Sequence, residues 1–276
     1  MNNEMFFDST VKITTFYPNG YCATGTGFFY LIKKGDKFVP TIVTNKHVIK
    51  NAVRGTFRLS LSDSIKREKR NGEYIDIAIE NFESQWTMHP DNDVDLCIMP
   101  IGSLISQSER NGKIIYFKAI DNSLIPNDET INGLTAIEEV LMVGYPIGLW
   151  DSYNNTPIVR KGITATNIKL DYNGKKEFLI DIAAFPGSSG SPVFIYNQGA
   201  YPDKNGLIIG DRVLFVGILY GGIEMNLHGE IHMIEAPTAN MPVVNSNLPI
   251  NTGVIIKAEK LFQLETVLIE KLLKGK

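Results

Sequence analysis

The chain has 276 residues, 43% of them hydrophobic, and carries 27 Lys plus Arg against 30 Asp plus Glu for a net charge of −3. That apolar content is enough for a packed core in one large unit or two small ones, and the near balance of charge excludes an electrostatic footprint for nucleic acid or an anionic membrane. With only Cys22 and Cys97, neither a disulfide framework nor a four-cysteine metal site can be built.

From the amino terminus, Met1 to Asp8 has no basic leader and no apolar stretch long enough to target secretion, and no later segment reads as membrane-spanning. Together with the missing disulfide framework, this makes a cytoplasmic location the expectation. Short runs rich in Val, Ile, Phe, Tyr and Thr then follow, broken by Gly, Asn, Asp and Pro. They are Thr10 to Tyr17, Gly27 to Ile32, Val39 to Thr44, Phe57 to Leu61, Tyr74 to Ile79 and Asp95 to Met99. The basic cluster Lys66, Arg67, Lys69 and Arg70, interrupted by Glu68 and followed by Asn71-Gly72, reads as a solvated hairpin tip. The polar stretch Ser103 to Thr135 reads as the connection between two β units. Beyond it the same style resumes with Val140 to Gly144, Ile158 to Leu170, Phe178 to Ala183, Pro192 to Tyr196 and Val213 to Tyr220. No helix-periodic segment stands between the runs, so the expectation is an all-β fold and not a βαβ sheet. The ending differs: Leu261, Leu264, Leu268 and Leu272 recur at three- and four-residue steps, which predicts an amphipathic helix within Ala258 to Lys274.

Three windows carry chemistry. In Phe185-Pro186-Gly187-Ser188-Ser189-Gly190-Ser191-Pro192-Val193, small residues flank a serine and permit a tight turn that exposes a hydroxyl while aiming backbone N–H groups at one point. Ser189 alone has glycine both two before and immediately after, so it is the candidate nucleophile, with the N–H groups of Gly187 and Ser189 as an oxyanion hole. Taken alone, the same string also fits a Gly/Ser-rich loop between strands. The second window, Thr41 to Ile49, is a buried-looking strand ending in His47, which by itself fits a structural histidine equally well. In the third, Asp93 to Met99, a carboxylate stands at the mouth of an apolar run, where burial demands a partner. Asp95 lies directly against the run, whereas Asp91 and Asp93 belong to the polar loop. An imidazole bridging a hydroxyl and a carboxylate activates serine near neutral pH, because the carboxylate fixes the tautomer and stabilises the imidazolium as it forms.

The order His, Asp, Ser and these contexts resemble the chymotrypsin-like (trypsin-like) serine peptidases, and within them the bacterial-type branch with the HtrA/Deg proteases and glutamyl endopeptidases. The matching pieces include Gly25-Thr26-Gly27-Phe28, Thr44-Asn45-Lys46-His47, Asp95-Leu96, Val143-Gly144-Tyr145-Pro146-Ile147-Gly148, Gly187 to Val193 and Val216-Gly217-Ile218. The resemblance implies two antiparallel six-stranded β-barrels followed by a carboxy-terminal helix. Residues 1–125 would carry His47 and Asp95, residues 136–257 would carry Ser189, and the helix would occupy 258–276, all within one peptidase domain. It also implies a serine endopeptidase that acts through an acyl-enzyme on Ser189, with a protein or peptide substrate and no cofactor. Where many relatives have Asp before the nucleophile this chain has Ser188, so zymogen activation through a salt bridge there is not expected.

The specificity pocket should be lined by Ala183, Ala184, Leu219, Tyr220, Gly221 and Gly222. Ala183 stands where a trypsin-like enzyme has its acidic floor, and Leu219 where glutamyl endopeptidases have a histidine, so an apolar or small residue is expected on the acyl side of the cut. His228, Glu230 and His232 alternate along an apparent strand, but Gly229 and the lack of a further ligand favour a polar hairpin, and no metal is expected. His89, before Pro90, reads as a loop residue. Two alternatives share the residues: a non-catalytic protease-like binding module, and a processing protease dedicated to one partner protein.

Overall fold

The computed structural model describes residues 4–35, 37–63, 65–204, 206–230 and 243–274, without the side chains of 34, 37 and those from 223 to 249. After a single helical turn, α1 (Met5–Asp8), the first half builds β1 (Thr10–Phe16), β2 (Cys22–Lys34), β3 (Lys37–Thr44), the short α2 (Lys46–Ile49), β4 (Arg54–Ser62), β5 (Lys69–Glu80), β6 (Thr87–Met88) and β7 (Cys97–Pro100). Then come α3 (Gly102–Arg110), β8 (Ile115–Tyr116), β9 (Ile120–Asp121) and α4 (Asp128–Gly133). The second half comprises β10 (Glu139–Gly144), β11 (Ile158–Thr164), β12 (Glu177–Asp181), β13 (Pro192–Asn197), β14 (Ala200–Asp203), β15 (Gly206–Ile209), β16 (Arg212–Glu230), β17 (Val243–Lys257) and α5 (Leu261–Lys274).

The second half closes. Strands β10-β11-β12-β17-β16-β13 form a ring completed by β13 pairing back to β10, with Val140 opposite Ile195. The first half does not: its nine strands run β5-β4-β1-β2-β3-β7-β6, with β8 on β4 and β9 on β2, and the ends β5 and β6 are not paired. Expected as a second closed barrel, it is an open sheet by its hydrogen bonds. The chain leaves β5 through Asn81 in left-handed conformation and a 3-10 turn, Phe82–Gln85, which spends the linking residues on a corner and leaves only two for β6. That corner is filled by Phe82 and Trp86, whose rings meet each other and Phe57.

The sheet nonetheless wraps a core of its own. Alternate residues point inward, Val11 and Ile13 from β1 and Phe57 and Leu59 from β4, as the two-residue period of a strand requires, and they meet Ile42, Phe82 and Cys97. The barrel encloses Val140, Met142, Phe178, Ile180 and Val193. A third cluster lies between the halves, where Phe28, Tyr30 and Leu96 face Phe194, Phe215 and Ile218. Helix α5 caps that cluster with Leu261, Leu264 and Leu268, while Tyr30 Oη donates to Glu265. Leu272, fourth in the leucine series, is 38% exposed and lies beyond the packed face.

Two other expectations are corrected. Within the stretch from Ser103, where no helix was expected, the chain forms α3, a helix whose only apolar anchors are Leu104 and Ile105 against the first core; two anchors give no readable period in sequence. The run Ile158 to Leu170 pairs only as far as Thr164, because the chain turns off to bury Ile168. The basic cluster does sit at the β4–β5 hairpin tip, where Arg70 pairs with Asp63 and Glu73 and Lys69 with Asp8. No helix among the described residues is long and apolar enough to cross a membrane.

Candidate active site

His47 lies in the first turn of α2, immediately after β3 ends at Thr44. The turn presents its ring to solvent while Val48 and Ile49 anchor it in the core. Asp95 follows buried Val94 and precedes buried Leu96, so its backbone is fixed on both sides. Its carbonyl accepts from Asn45 Nδ2 at 2.7 Å. Its carboxylate accepts the His47 backbone N–H at 3.0 Å and faces the ring Nδ1 at 2.5 Å. Imidazole and carboxylate are therefore joined through Nδ1, and Nε2 has no hydrogen-bond partner among the described residues.

Ser189 lies in a tight turn of the other half that is hydrogen-bonded to β2. Within it Ser188 N–H donates to Phe185 O, Ser191 N–H to Ser188 O, and Gly190 N–H to Leu219 O on β16. Among the described residues the N–H groups of Gly187 and Ser189 have no acceptor. Positive φ at Gly187 (92°) and Gly190 (89°) admits no ordinary side chain, and a Cβ on Gly190 would stand 1.9 Å from Thr26 O. Ser189 Oγ makes no hydrogen bond to the imidazole among the described residues; it is the backbones that are brought together.

Thr26 does the joining. Its N–H donates to Ser189 O at 2.9 Å, its hydroxyl donates to Gly187 O at 2.9 Å and accepts from Tyr145 N–H at 3.0 Å, and its carbonyl accepts from Thr44 Oγ1 at 2.7 Å. The Ser189 turn is thus bolted onto the strand pair β2–β3, which leads into the turn carrying His47. The Gly25-Thr26-Gly27 motif was visible in sequence, but it carries no signal that the threonine bonds both sides of a turn so distant in the chain.

Beside Ser189 is a cavity of about 170 Å³ lined by Ala184, Phe185, Pro186, Ser189, Leu219, Gly221 and Gly222. Of the six residues expected there, Ala184, Leu219, Gly221 and Gly222 take part, joined by Phe185 and Pro186. Ala183 does not, since Ile182 and Ala184 on either side of it face the barrel core. Tyr220 is the extra residue of a bulge between the pairs Leu219↔Ile255 and Gly221↔Val254. Burial, with the Glu177 and Asp95 carboxylates nearby, pushes its phenol up to about 12. The guanidinium of Arg160 lies 5.1 Å from the Phe185 ring, its Nε buried without a partner among the described residues. The side chains of His228 and Glu230, and the whole of His232, lie outside the described residues.

A β-rich chain that joins an imidazole to a carboxylate in one half and carries a glycine-flanked serine turn in the other, the two linked through Thr26, has the layout of a serine-type peptidase domain. Residues 25–200 match the trypsin-like peptidase domain, and the chain belongs to that family. Over 202 residues it is 26% identical to a glutamyl endopeptidase of Staphylococcus epidermidis, covering 70% of this chain and 54% of that protein. The chain thus spans about half the length of the curated relatives it matches. Similar solved structures include the Rv3671c protease of M. tuberculosis in its active form, at 16% identity and TM-score 0.40 over 93% of this chain and 78% of that one. Another is the MamO protease domain of Magnetospirillum magneticum, at 11% identity and TM-score 0.48 over 95% and 97%.

Proposed function

We propose that the chain is a serine endopeptidase of protein or peptide substrates, with residues 1–125 and 136–257 as the two halves of one catalytic unit and 258–276 as its closing helix. His47 is the general base, Asp95 orients it, and Ser189 is the nucleophile. Substrate closes the remaining gap between Ser189 Oγ and His47 Nε2, as apo catalytic hydrogen bonds tighten only in the complex. The Oγ–carbonyl bond forms as the proton passes to Nε2. When the C–N bond breaks, that proton goes to the leaving amine, and water then releases the acyl group by the same base. The oxyanion is held by the N–H groups of Gly187 and Ser189. The observation that carries this reading is that these two N–H groups, on either side of Ser188, lack an acceptor among the described residues. Labelling by a fluorophosphonate probe, lost in Ser189→Ala, tests it; a chain that is never labelled, or labelling that survives the substitution, rules it out. The two unpaired cysteines, Cys22 exposed and Cys97 buried, support the expectation of a cytoplasmic, reducing compartment.

On the acyl side we favour an apolar or small residue, since Ala184, Leu219, Gly221 and Gly222 offer the cavity no charge. A second reading, an acidic residue, is favoured by Arg160, a cation against the cavity wall at Phe185 whose buried Nε has no partner among the described residues, and by the glutamyl endopeptidase relative. A peptide library varied at that position, run on the native chain and on Arg160→Met, decides. Preference for Glu or Asp that vanishes in Arg160→Met establishes the second reading and removes the first.

A further inference from the structure

A second concavity, about 320 Å³ in volume, opens on the wall of the first half and is lined by Lys12, Thr14, Thr56, Arg58 and Asp76 together with Trp150 from the second half. Lys12 Nζ stands 4.5 Å from the Trp150 ring centroid, and the Arg58 guanidinium lies between Trp150 at 5.1 Å and Tyr74 at 3.9 Å. Arg58 is engaged by Asp76 through two bonds of 2.7 and 2.8 Å. Lys12 has no carboxylate partner among the described residues, so the cup holds one uncompensated positive charge. Partial burial, and then the charge of Arg58, lower the Lys12 ammonium from its usual 10.5, which marks a cation short of a counterion.

The cup adjoins the oxyanion turn. Ile147 N–H donates to Pro186 O, and Gly187 is packed so closely on Tyr145 O, Ile147 N and Gly148 N that a Cβ there would stand 2.6 to 3.3 Å from them. On its other side, Gly148 faces Thr24 and Lys12, whose Oγ1 and Nζ lie 3.6 and 3.8 Å from where its Cβ would be. Two cavities therefore flank the nucleophile: the one on β16 beside Ser189, and this one on β1 and β4 beyond Gly148. A chain cut at Ser189 that places its acyl-side residue in the first runs its leaving half toward the second.

We propose that Lys12, Arg58 and Trp150 bind an acidic side chain of the substrate on the leaving-group side of the scissile bond. This rests on the endopeptidase reading, and it concerns the opposite side of the cut from the cavity at Leu219. Lys12 supplies the unpaired charge, Thr14 and Thr56 supply hydroxyls, and the Trp150 ring covers one side of the cup, where partial loss of water strengthens the pairing.

Binding can be read without turnover in Ser189→Ala, because Trp150 is one of two tryptophans and the other, Trp86, is buried in the first core. Titrating the peptide amides Ala-Glu-Glu-Gly and Ala-Gln-Gln-Gly while following tryptophan emission, we expect the acidic peptide to bind roughly fivefold more tightly and the difference to shrink with salt. Lys12→Gln should abolish that difference, Lys12→Arg keep it, and Lys12→Glu reverse it toward a lysine peptide. Equal affinity for the two peptides, or an unchanged difference in folded Lys12→Gln, overturns the proposal. Charge-selective binding in a chain that fluorophosphonate never labels would remove the catalytic reading and leave the anion cup; labelling without charge selectivity would do the reverse.

Discussion

Asp95 holds His47 at two points, accepting the backbone N–H through Oδ1 and facing the ring Nδ1 with Oδ2. One carboxylate thus fixes both the turn that carries the imidazole and the orientation of the ring. Asp95→Asn separates these functions, because the amide oxygen still accepts the backbone N–H while its NH₂ imposes the wrong tautomer on the ring. We expect kcat to fall by about 10⁴-fold with the melting temperature nearly unchanged. Asp95→Ala should lose both grips and also destabilise the fold. Equal activity of Asp95→Asn and the native chain would remove Asp95 from the catalytic machinery.

Thr26 offers a test of how the nucleophile turn is held. Thr26→Val conserves shape and keeps the backbone bonds to Ser189 and Thr44, but it strands Gly187 O and Tyr145 N–H, both buried. Leaving such groups unpaired costs about 1 to 3 kcal/mol each way such losses are measured. We expect a lower denaturation midpoint together with a fall in kcat greater than any rise in KM, since Gly187 carries one of the two proposed oxyanion donors. A variant destabilised but fully active would confine Thr26 to a structural role.

Thr26 also marks where sequence reading stops. Strand positions such as Val11, Ile13, Phe57 and Leu59 were legible because burial on one face imposes a two-residue period. The pairing of His47 with Asp95 was legible because each sits in a local context that chemistry restricts. Local context says nothing of closure, however, and the corner at Phe82–Gln85 that keeps the first sheet open depends on how Phe82 and Trp86 fill the space above Gly55. Helix α3 escaped because two anchoring residues make no period, and the bulge at Tyr220 because ladder register belongs to the partner strand as much as to its own. The Lys12–Trp150 pairing joins the two halves and has no signature in either.

Ile147 carries a prediction of stability gained. It adopts φ 49°, ψ 28°, a left-handed conformation disfavoured for a β-branched side chain, and it is 71% exposed, so little packing offsets the strain. Asparagine tolerates that conformation and keeps the N–H that donates to Pro186 O. Ile147→Asn should therefore raise stability by about 1 kcal/mol, seen as a melting temperature roughly 2 °C higher for a chain of this size. An unchanged or lowered melting temperature would show that the strain is relieved elsewhere. A higher melting temperature with slower hydrolysis would show that the strain tensions the oxyanion turn.

His89 makes the fold sensitive to acid. The ring is buried: its Nδ1 accepts from Asp91 N–H at 3.1 Å and its Nε2 donates to Lys260 O at 3.2 Å, which is the neutral tautomer. Burial holds its pKa below the usual 6.5; the hydrogen bond donated to Lys260 O opposes that shift, and the charges of Lys260 and Lys46 add to it. The unfolded chain therefore takes up a proton at a pH where the native chain does not, and stability rises with pH through that interval. His89's contribution is complete above 6.5 and declines as the pH falls from there toward the lower native value. Because Lys260 leads into α5 and Lys46 precedes His47, with its Nζ donating to Asp91 O at 2.9 Å, protonation loosens the helix cap and the His47 turn together. Denaturation midpoints measured from pH 7.5 down to 5 should fall for the native chain and fall less for His89→Gln, which can donate to Lys260 O but does not titrate. Parallel pH profiles for the two proteins would assign the acid sensitivity to other groups.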